Sequence, residues 1–323
     1  MILGYAVADG KLRALNDIAA EKDAAAWIDL VRPTPEEEKT LEAALGVGVP
    51  TREEMSEIEI SSRLYAEDGA VYMTALVLSR TDGEDPTIAP ATFVLAGSKL
   101  ITIRYEEPRV FELFAARAQK AQTGCVSAET ILVGLLEAIV DRLADVLERA
   151  AQDAERLSRE IFQLGGAGPA KTRDFRRIVV ELGRKGDLGS KIRDSLVTLN
   201  RLFGFLTLHL SHGAGDKELK ARLKTLSRDA VSLADHLSYL SQKITFLLDA
   251  TLGMINIEQN QIIKIFSVAA VAFLPPTLIA SIYGMNFQHM PELSSQYGYP
   301  IAVGAMVLSA VLPLFYFKRR GWL

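Results

Sequence analysis

Asp249, Asn256, Asn260, Ile263, Ser267, Ala270, Leu274, Thr277 and Ser281 follow one another at an interval of seven and then at alternating intervals of four and three. That spacing places them on one face of a helix. Amides, hydroxyls and small side chains repeated along one face can line a water-filled path; the same residues also let membrane helices pack closely. The two asparagines below an apolar run, with Asp249 one heptad earlier, favour the path. Enzymatic chemistry finds no support, because the chain has no Walker glycine loop, no H-E-x-x-H and no nucleophile with a plausible base. The carboxylates Glu36, Glu37 and Glu38 follow Thr34-Pro35, which reads as an N-cap, a first-turn proline and acids at the positive end of a helix dipole rather than a metal site.

The elements that must position the stripe are apolar. Ile265 to Ile282, "IFSVAAVAFLPPTLIASI", runs 18 residues without a charge, and Tyr299 to Phe317, "YPIAVGAMVLSAVLPLFYF", runs 19. A helix needs about 20 residues to cross the hydrocarbon of a bilayer. Both therefore read as membrane spans, and their tandem arrangement between cations argues against a pair of buried core helices. Lys264 precedes the first and Lys318, Arg319 and Arg320 follow the second, while the connecting segment has no Lys or Arg. The positive-inside rule puts both termini in the cytoplasm and the connecting loop outside. Trp322, Tyr299, Phe315, Tyr316 and Phe317 suit the membrane–water interfaces.

The net charge of −4 over 323 residues hides an asymmetry. From Ile262 onward four basic residues face Glu292 alone, whereas residues 1–261 hold 32 basic and 39 acidic side chains. An acidic soluble part disfavours nucleic acid, and no nucleic-acid partner is expected, since polyanion binding depends on Lys and Arg neutralising phosphates. Cys125 is the single cysteine, which fits a reducing compartment. The opening "MILGYAVADGKLRALN" lacks the pattern of a cleavable signal peptide. The expected class is α+β, with an N-terminal cytoplasmic α/β domain.

Strands are expected at "ILGYAVA" (2–8), "AWIDLV" (26–31), "EIEISSRLY" (57–65), "AVYMTALVLS" (70–79) and "TFVLAGSKLITIRY" (92–105), the last turning at "GSK". From about residue 127 the period becomes helical, with breaks at "GGAGP" (165–169) and "SHGAGD" (211–216). Leu219, Leu223, Leu226, Ala230, Leu233, Leu237, Leu240, Ile244 and Leu247 then form a heptad seam. No strong breaker separates Asp216 from the first span, so a single helix of ~100 Å is expected to reach Tyr283; Pro275-Pro276 would kink it within the membrane. The expected division is residues 1–122 an α/β domain, 123–215 long antiparallel helices, 216–283 a stalk continuous with the first span (about 262–283), 284–298 an outer loop, 299–317 the second span and 318–323 a basic tail. Two spans cannot enclose a pore, so a conducting path requires a homo-oligomer with each stripe on the symmetry axis.

The stretch "YGMNFQHMPEL" (283–293), followed by "YGYP" and "FYFKRRGWL" and preceded by "LLDATLGMINIEQNQIIKIFSVAAVAFLPPTLIASIYGMN", closely resembles the CorA family of magnesium transport proteins. The resemblance is specific from about Asp249 to Leu323 and architectural before that. It implies a homopentameric inner-membrane channel with a cytoplasmic funnel, Mg²⁺ as cargo and regulator, and no organic cofactor. By resemblance, Gly284, Met285 and Asn286 form the outer selectivity filter, where a ring of amide oxygens holds the ion through its water shell. Thr277, Asn260 and Asp249 match pore-lining positions, and Leu274, Phe266 and Ile263 match apolar constrictions.

The chain departs from the family at Gln288, where an acid is frequent, and at Ser294, where a base is frequent. Glu292 is left as the loop's sole carboxylate for cation recruitment. His289 reads as a solvated loop histidine, and His209 with His212 lacks a third ligand. Asp229 and Asp235 on the stalk are candidates for a regulatory Mg²⁺ site, although charges there also fit a solvated face. Three functions compete: a gated Mg²⁺ channel that also passes Co²⁺ and Ni²⁺, a Zn²⁺ transporter of the ZntB type, and a non-transporting membrane-anchored sensor or scaffold.

Overall fold

The computed structural model describes residues 1–322 apart from 17, 19, 22, 58, 84, 122–123, 164–174, 211–215 and 287–289. The chain forms two compact units, Met1–Leu248 and Asp249–Leu323. In chain order the first holds β1 (Ile2–Ala8), β2 (Lys11–Ala14), β3 (Ala25–Val31), α1 (Pro35–Leu45), α2 (Arg52–Ser56), α3 (Ile60–Arg63), β4 (Leu64–Glu67), β5 (Ala70–Ser79), β6 (Thr87–Ala96), β7 (Lys99–Arg104), α4 (Arg109–Lys120), α5 (Ala128–Gln163) and α6 (Phe175–His209). Helix α7 spans Asp216–Tyr283 and helix α8 spans Gly298–Arg319. A one-turn helix, Pro291–Ser294, lies between them. The architecture is α+β, as the composition of strands and helices led us to expect.

The seven strands order as β2-β1-β3-β7-β6-β5-β4, with β3 and β7 parallel and every other pair antiparallel. Side chains alternate across this sheet. Ile28, Leu30, Ile101 and Ile103 join Leu41 of α1 and Met55 of α2 in one buried cluster. The opposite face carries Trp27, whose ring meets Phe114 of α4 edge-on at 5.8 Å, and Phe93, which stacks on Phe111 at 6.2 Å. Alternation also brings Asp29, Thr102 and Arg104 to this second face, all buried. Arg104 donates to Asp29 through Nη2 at 2.8 Å and Nε at 3.1 Å, and Thr102 Oγ1 donates to Asp29 Oδ1 at 2.7 Å. Trp27 Nε1 donates to Thr102 Oγ1 at 3.0 Å, and the Arg104 guanidinium lies 4.7 Å from the centre of the Phe111 ring. A buried ion pair survives desolvation only when its remaining valences are met, and this network meets them.

The helix expected at "TPEEE" is α1, closed by a capping box in which Thr34 Oγ1 accepts from the Glu37 N–H and Glu37 Oε2 accepts from the Thr34 N–H. The Thr34 amide and the chain's amino terminus hold the Glu37 carboxyl below its usual range. Two strand expectations need correction. Residues 60–63 form the helical turn α3, and pairing starts only at Leu64, opposite Met73. Ser61 and Ser62 favour such local turns over a ladder. Strand β6 begins at Thr87 rather than 92 and contains Pro90, which faces Leu76. The β7 partner of β6 ends at Ala91, so Pro90 interrupts no ladder on that side. Beside this proline, α6 supplies hydrogen-bond partners: Ser195 Oγ donates to the Leu76 carbonyl at 2.6 Å, and the Leu76 N–H donates to Thr198 Oγ1 at 3.0 Å.

The helical periodicity is realised as burial. Leu132, Leu136, Ile139, Leu143 and Val146 of α5, and Ile178, Leu182, Ile192, Leu196 and Leu199 of α6, are buried. The leucine seam of α7 is buried from Leu219 to Leu247 except at Leu233, which is half-buried. The breaks at 165–169 and 211–215 lie outside the described residues.

Candidate pore face and outer loop

In the second unit α7 is apolar enough to cross a membrane and so is α8. Within the apolar part of α7 only Val268 and Ala272 are buried, with Ala269, Pro275, Pro276 and Ile279 half-buried on the same side. At 100° per residue, that side lies about 160° around the helix from the centre of the stripe Asn256–Ser281. Every member of the stripe is exposed, as are Asp249 and Phe266. Helix α8 has a matching half-covered side: Gly298, Ala302, Met306, Ser309, Ala310, Pro313 and Phe317. Gly298, Ala302, Ser309 and Ala310 on it are small. The stripe thus faces away from the packed side of its own helix. Thr277 Oγ1 donates to the Phe273 carbonyl at 2.7 Å, which leaves the hydroxyl oxygen free to accept.

Helix α7 ends where the signature begins. The Gly284 N–H donates to the Ala280 carbonyl at 2.9 Å, and the Met285 N–H to the Ile282 carbonyl at 3.3 Å. A β-carbon on Gly284 would stand 3.1 Å from the Ala280 carbonyl oxygen, so the tight exit has little room for a side chain. Met285 and Asn286 follow, both exposed. The last carbonyls of α7 carry the partial negative charge of the helix dipole toward this point. Residues 284–298 contain no Lys or Arg to oppose it, and their sole carboxylate, Glu292, is exposed in the one-turn helix.

A residue of the outer loop that the spacing analysis missed is Gly298. A β-carbon there would lie 2.2 Å from the Glu292 carbonyl oxygen, too close for any other residue without a shift of the backbone. The Gly298 N–H donates to the Ser295 carbonyl at 3.0 Å, so the turn that holds Glu292 is built directly on the start of α8. The signal was present as the glycine of "YGYP".

The stalk candidates behave differently. Asp229 and Asp235 are exposed. Asp141 of α5 is exposed, yet partial desolvation by its neighbours raises its carboxyl above the usual range, with Glu137, Asp145 and Asp229 adding to it and Arg117 opposing. No group of three or more His, Cys, Asp or Glu side chains is gathered to hold a metal among the described residues. His209 uses Nδ1 on the Phe205 carbonyl of its own helix at 2.9 Å; His212, Gln288 and His289 lie outside the described residues.

The sequence family of CorA-like Mg²⁺ transporter proteins matches residues 22–319. The chain belongs to that family. It is 37% identical over 324 residues to the magnesium transport protein CorA of Pasteurella multocida, with both chains covered completely. It is 37% identical over 299 residues to the magnesium transport protein CorA of Escherichia coli K12, covering 93% of this chain and 92% of that one. The complete structure of the CorA magnesium transporter from Methanocaldococcus jannaschii shares the fold with a TM-score of 0.76 at 20% identity, over 100% of this chain and 99% of that one. Membership in a family of Mg²⁺ transporters is consistent with a chain that is not an enzyme, and its two apolar helices accord with a membrane location.

Proposed function

We propose that the chain is one subunit of a homopentameric channel that conducts Mg²⁺, and also Co²⁺ and Ni²⁺, across the bacterial inner membrane. The relatives are named for magnesium transport, and the observation that carries the reading to residues is the stripe of α7, turned away from the packed side of its own helix and followed at once by Gly284-Met285-Asn286. Both termini are cytoplasmic and residues 284–298 are outside. Several α7 helices side by side enclose a path lined by Asp249, Asn256, Asn260, Ser267, Ala270, Thr277 and Ser281. Ile263, Phe266 and Leu274 narrow it with apolar rings that gate by dewetting.

Mg²⁺ gives up its water reluctantly. A ring of neutral Asn286 amides hydrogen-bonds to the coordinated water and selects the ion without stripping it. Glu292, supported by Gly298, raises the local cation concentration. The membrane potential supplies about 4.6 kcal/mol for a divalent ion at 100 mV, equivalent to a gradient of about a thousandfold or more. No organic cofactor and no nucleotide are needed; control is. Mg²⁺ among the acidic cytoplasmic parts, with Asp229 and Asp235 as candidate ligands, holds the path closed, and its loss restores like-charge repulsion and opens it.

The test is flux of Mg²⁺, Co²⁺, Ni²⁺ and Zn²⁺ into proteoliposomes under an imposed potential. Asn286→Ala should abolish Mg²⁺ entry while the oligomer keeps its size. Zn²⁺ entry in preference to Mg²⁺, or no flux of any ion from the intact assembly, would overturn the reading.

A further inference from the structure

The C-terminal turn of α8 and the start of the apolar part of α7 build a cluster that ion conduction does not use. Gly321, at φ +70°, closes α8 in a Schellman arrangement: its N–H donates to the Lys318 carbonyl at 3.1 Å and the Trp322 N–H to the Phe317 carbonyl at 3.0 Å. The turn folds Trp322 back until its ring stacks on Phe317 at 5.2 Å. Lys264 Nζ then lies 5.8 Å from the centre of the Trp322 ring, and the Arg320 guanidinium 5.4 Å from that of Tyr316. Lys264, Lys318, Arg319 and Arg320 are all exposed, and among the described residues none of them pairs with a carboxylate. Four cations, three at the end of α8 and one on α7, that have no carboxylate partner among the described residues attract an anion. Just up the helix, Leu312 and Phe315 expose apolar side chains, at 62% and 64%.

We infer that this cluster binds the phosphate headgroup of an anionic phospholipid, with the acyl chains lying along Leu312 and Phe315. The geometry suits that ligand on both counts. Ammonium and guanidinium groups bond phosphate oxygens, and interfacial aromatics with an apolar surface beneath them accept the chains. A soluble phosphate satisfies only the first. Because Lys264 and Trp322 come from the two different spans, one bound lipid contacts both. The inference rests on the reading of α7 and α8 as membrane spans.

Tryptophan fluorescence tests it in the full chain reconstituted into phosphatidylcholine bilayers. The chain has two tryptophans; Trp27 is fully buried among aromatic side chains and out of reach of lipid, so Trp322 reports. A fixed minority of brominated phosphatidylglycerol should quench Trp322 more strongly than the same fraction of brominated phosphatidylcholine, with an apparent preference of about fivefold or more. The combined substitution Lys264→Gln, Arg319→Gln, Arg320→Gln should remove the preference while quenching by the choline lipid persists. Equal quenching of the unaltered protein by the two lipids overturns the headgroup site. Loss of the preference on adding millimolar glycerophosphate also overturns it, by showing a site for free phosphate. Absence of quenching by either lipid refutes the membrane reading itself, a result distinct from lost selectivity.

Discussion

The carbonyl oxygen of Glu292 lies 2.2 Å from where a β-carbon on Gly298 would be. Gly298→Ala must therefore move either the turn that carries the loop's sole carboxylate or the first residues of α8. We expect this substitution to raise the apparent KM for Mg²⁺ several-fold with a smaller change in maximal flux, and Glu292→Gln to do the same without altering the fold. Initial rates in proteoliposomes over a range of Mg²⁺ separate the two parameters. A Gly298→Ala protein with unchanged KM would show that the turn does not position the acid.

The two sides of α7 make opposite predictions for labelling. Cys125 is buried, so a new cysteine can be read against a quiet background. Cysteines replacing Ala270, Leu274 or Thr277 should react with a small charged thiol reagent and block flux. Cysteines replacing Val268 or Ala272, the buried positions, should remain unreactive and conducting. Reactivity in the reverse pattern would place the wet path on the wrong side.

Asp29→Ala removes one partner of a buried ion pair and leaves the Arg104 guanidinium with an unmatched charge. The expected loss is about 3–5 kcal/mol of stability. Chemical denaturation of the full chain, followed by near-ultraviolet circular dichroism, measures it. A change below about 1 kcal/mol would mean that water enters and satisfies Arg104.

The acidic patch around Asp141 carries a pH dependence of defined sign. Its carboxyl sits above the unfolded value of 3.8, chiefly through partial desolvation of an otherwise exposed side chain and then through Glu137, Asp145 and Asp229. The folded state therefore holds this proton more tightly than the unfolded state does. Its contribution favours folding most at low pH and is lost as pH rises from 3.8 through the folded pKa. Asp141→Asn should raise the thermal midpoint at neutral pH, with the gain shrinking toward pH 4. A gain that persists undiminished in acid would assign it to packing instead.

Much of the fold was legible because its signals are periodic. Strands β1 and β5 follow from apolar, β-branched runs bounded by turn residues, and the leucine seam of α7 from spacings of three and four. Helix α4 escaped attention although Val110, Phe111, Phe114, Ala115 and Ala118 carry the same spacing and are buried. Strand β2, Lys11–Ala14, is too short and polar to announce itself, and its existence depends on pairing with β1. Pro90 masks the first residues of β6, because the proline is tolerated there only where β7, one of the two neighbouring strands, no longer pairs. At the candidate pore, hydroxyls and amides were visible by type. The packed side of α7 was not, since a uniformly apolar span gives no contrast between lipid, a neighbouring helix and a partner chain. Gly298 stayed hidden for another reason: its need is set by a carbonyl six residues earlier, a steric fact without periodicity.

The carbonyl end of α7 at Gly284 has one more consequence. Peptide dipoles neither take up nor release protons in the physiological range, unlike an acidic ring. Where the ends of several such helices converge, the pull on an arriving divalent ion should persist into mildly acidic surroundings, with only the share contributed by Glu292 fading. Uptake by this protein should then lose affinity gradually, rather than collapse, as the medium outside the cell turns sour.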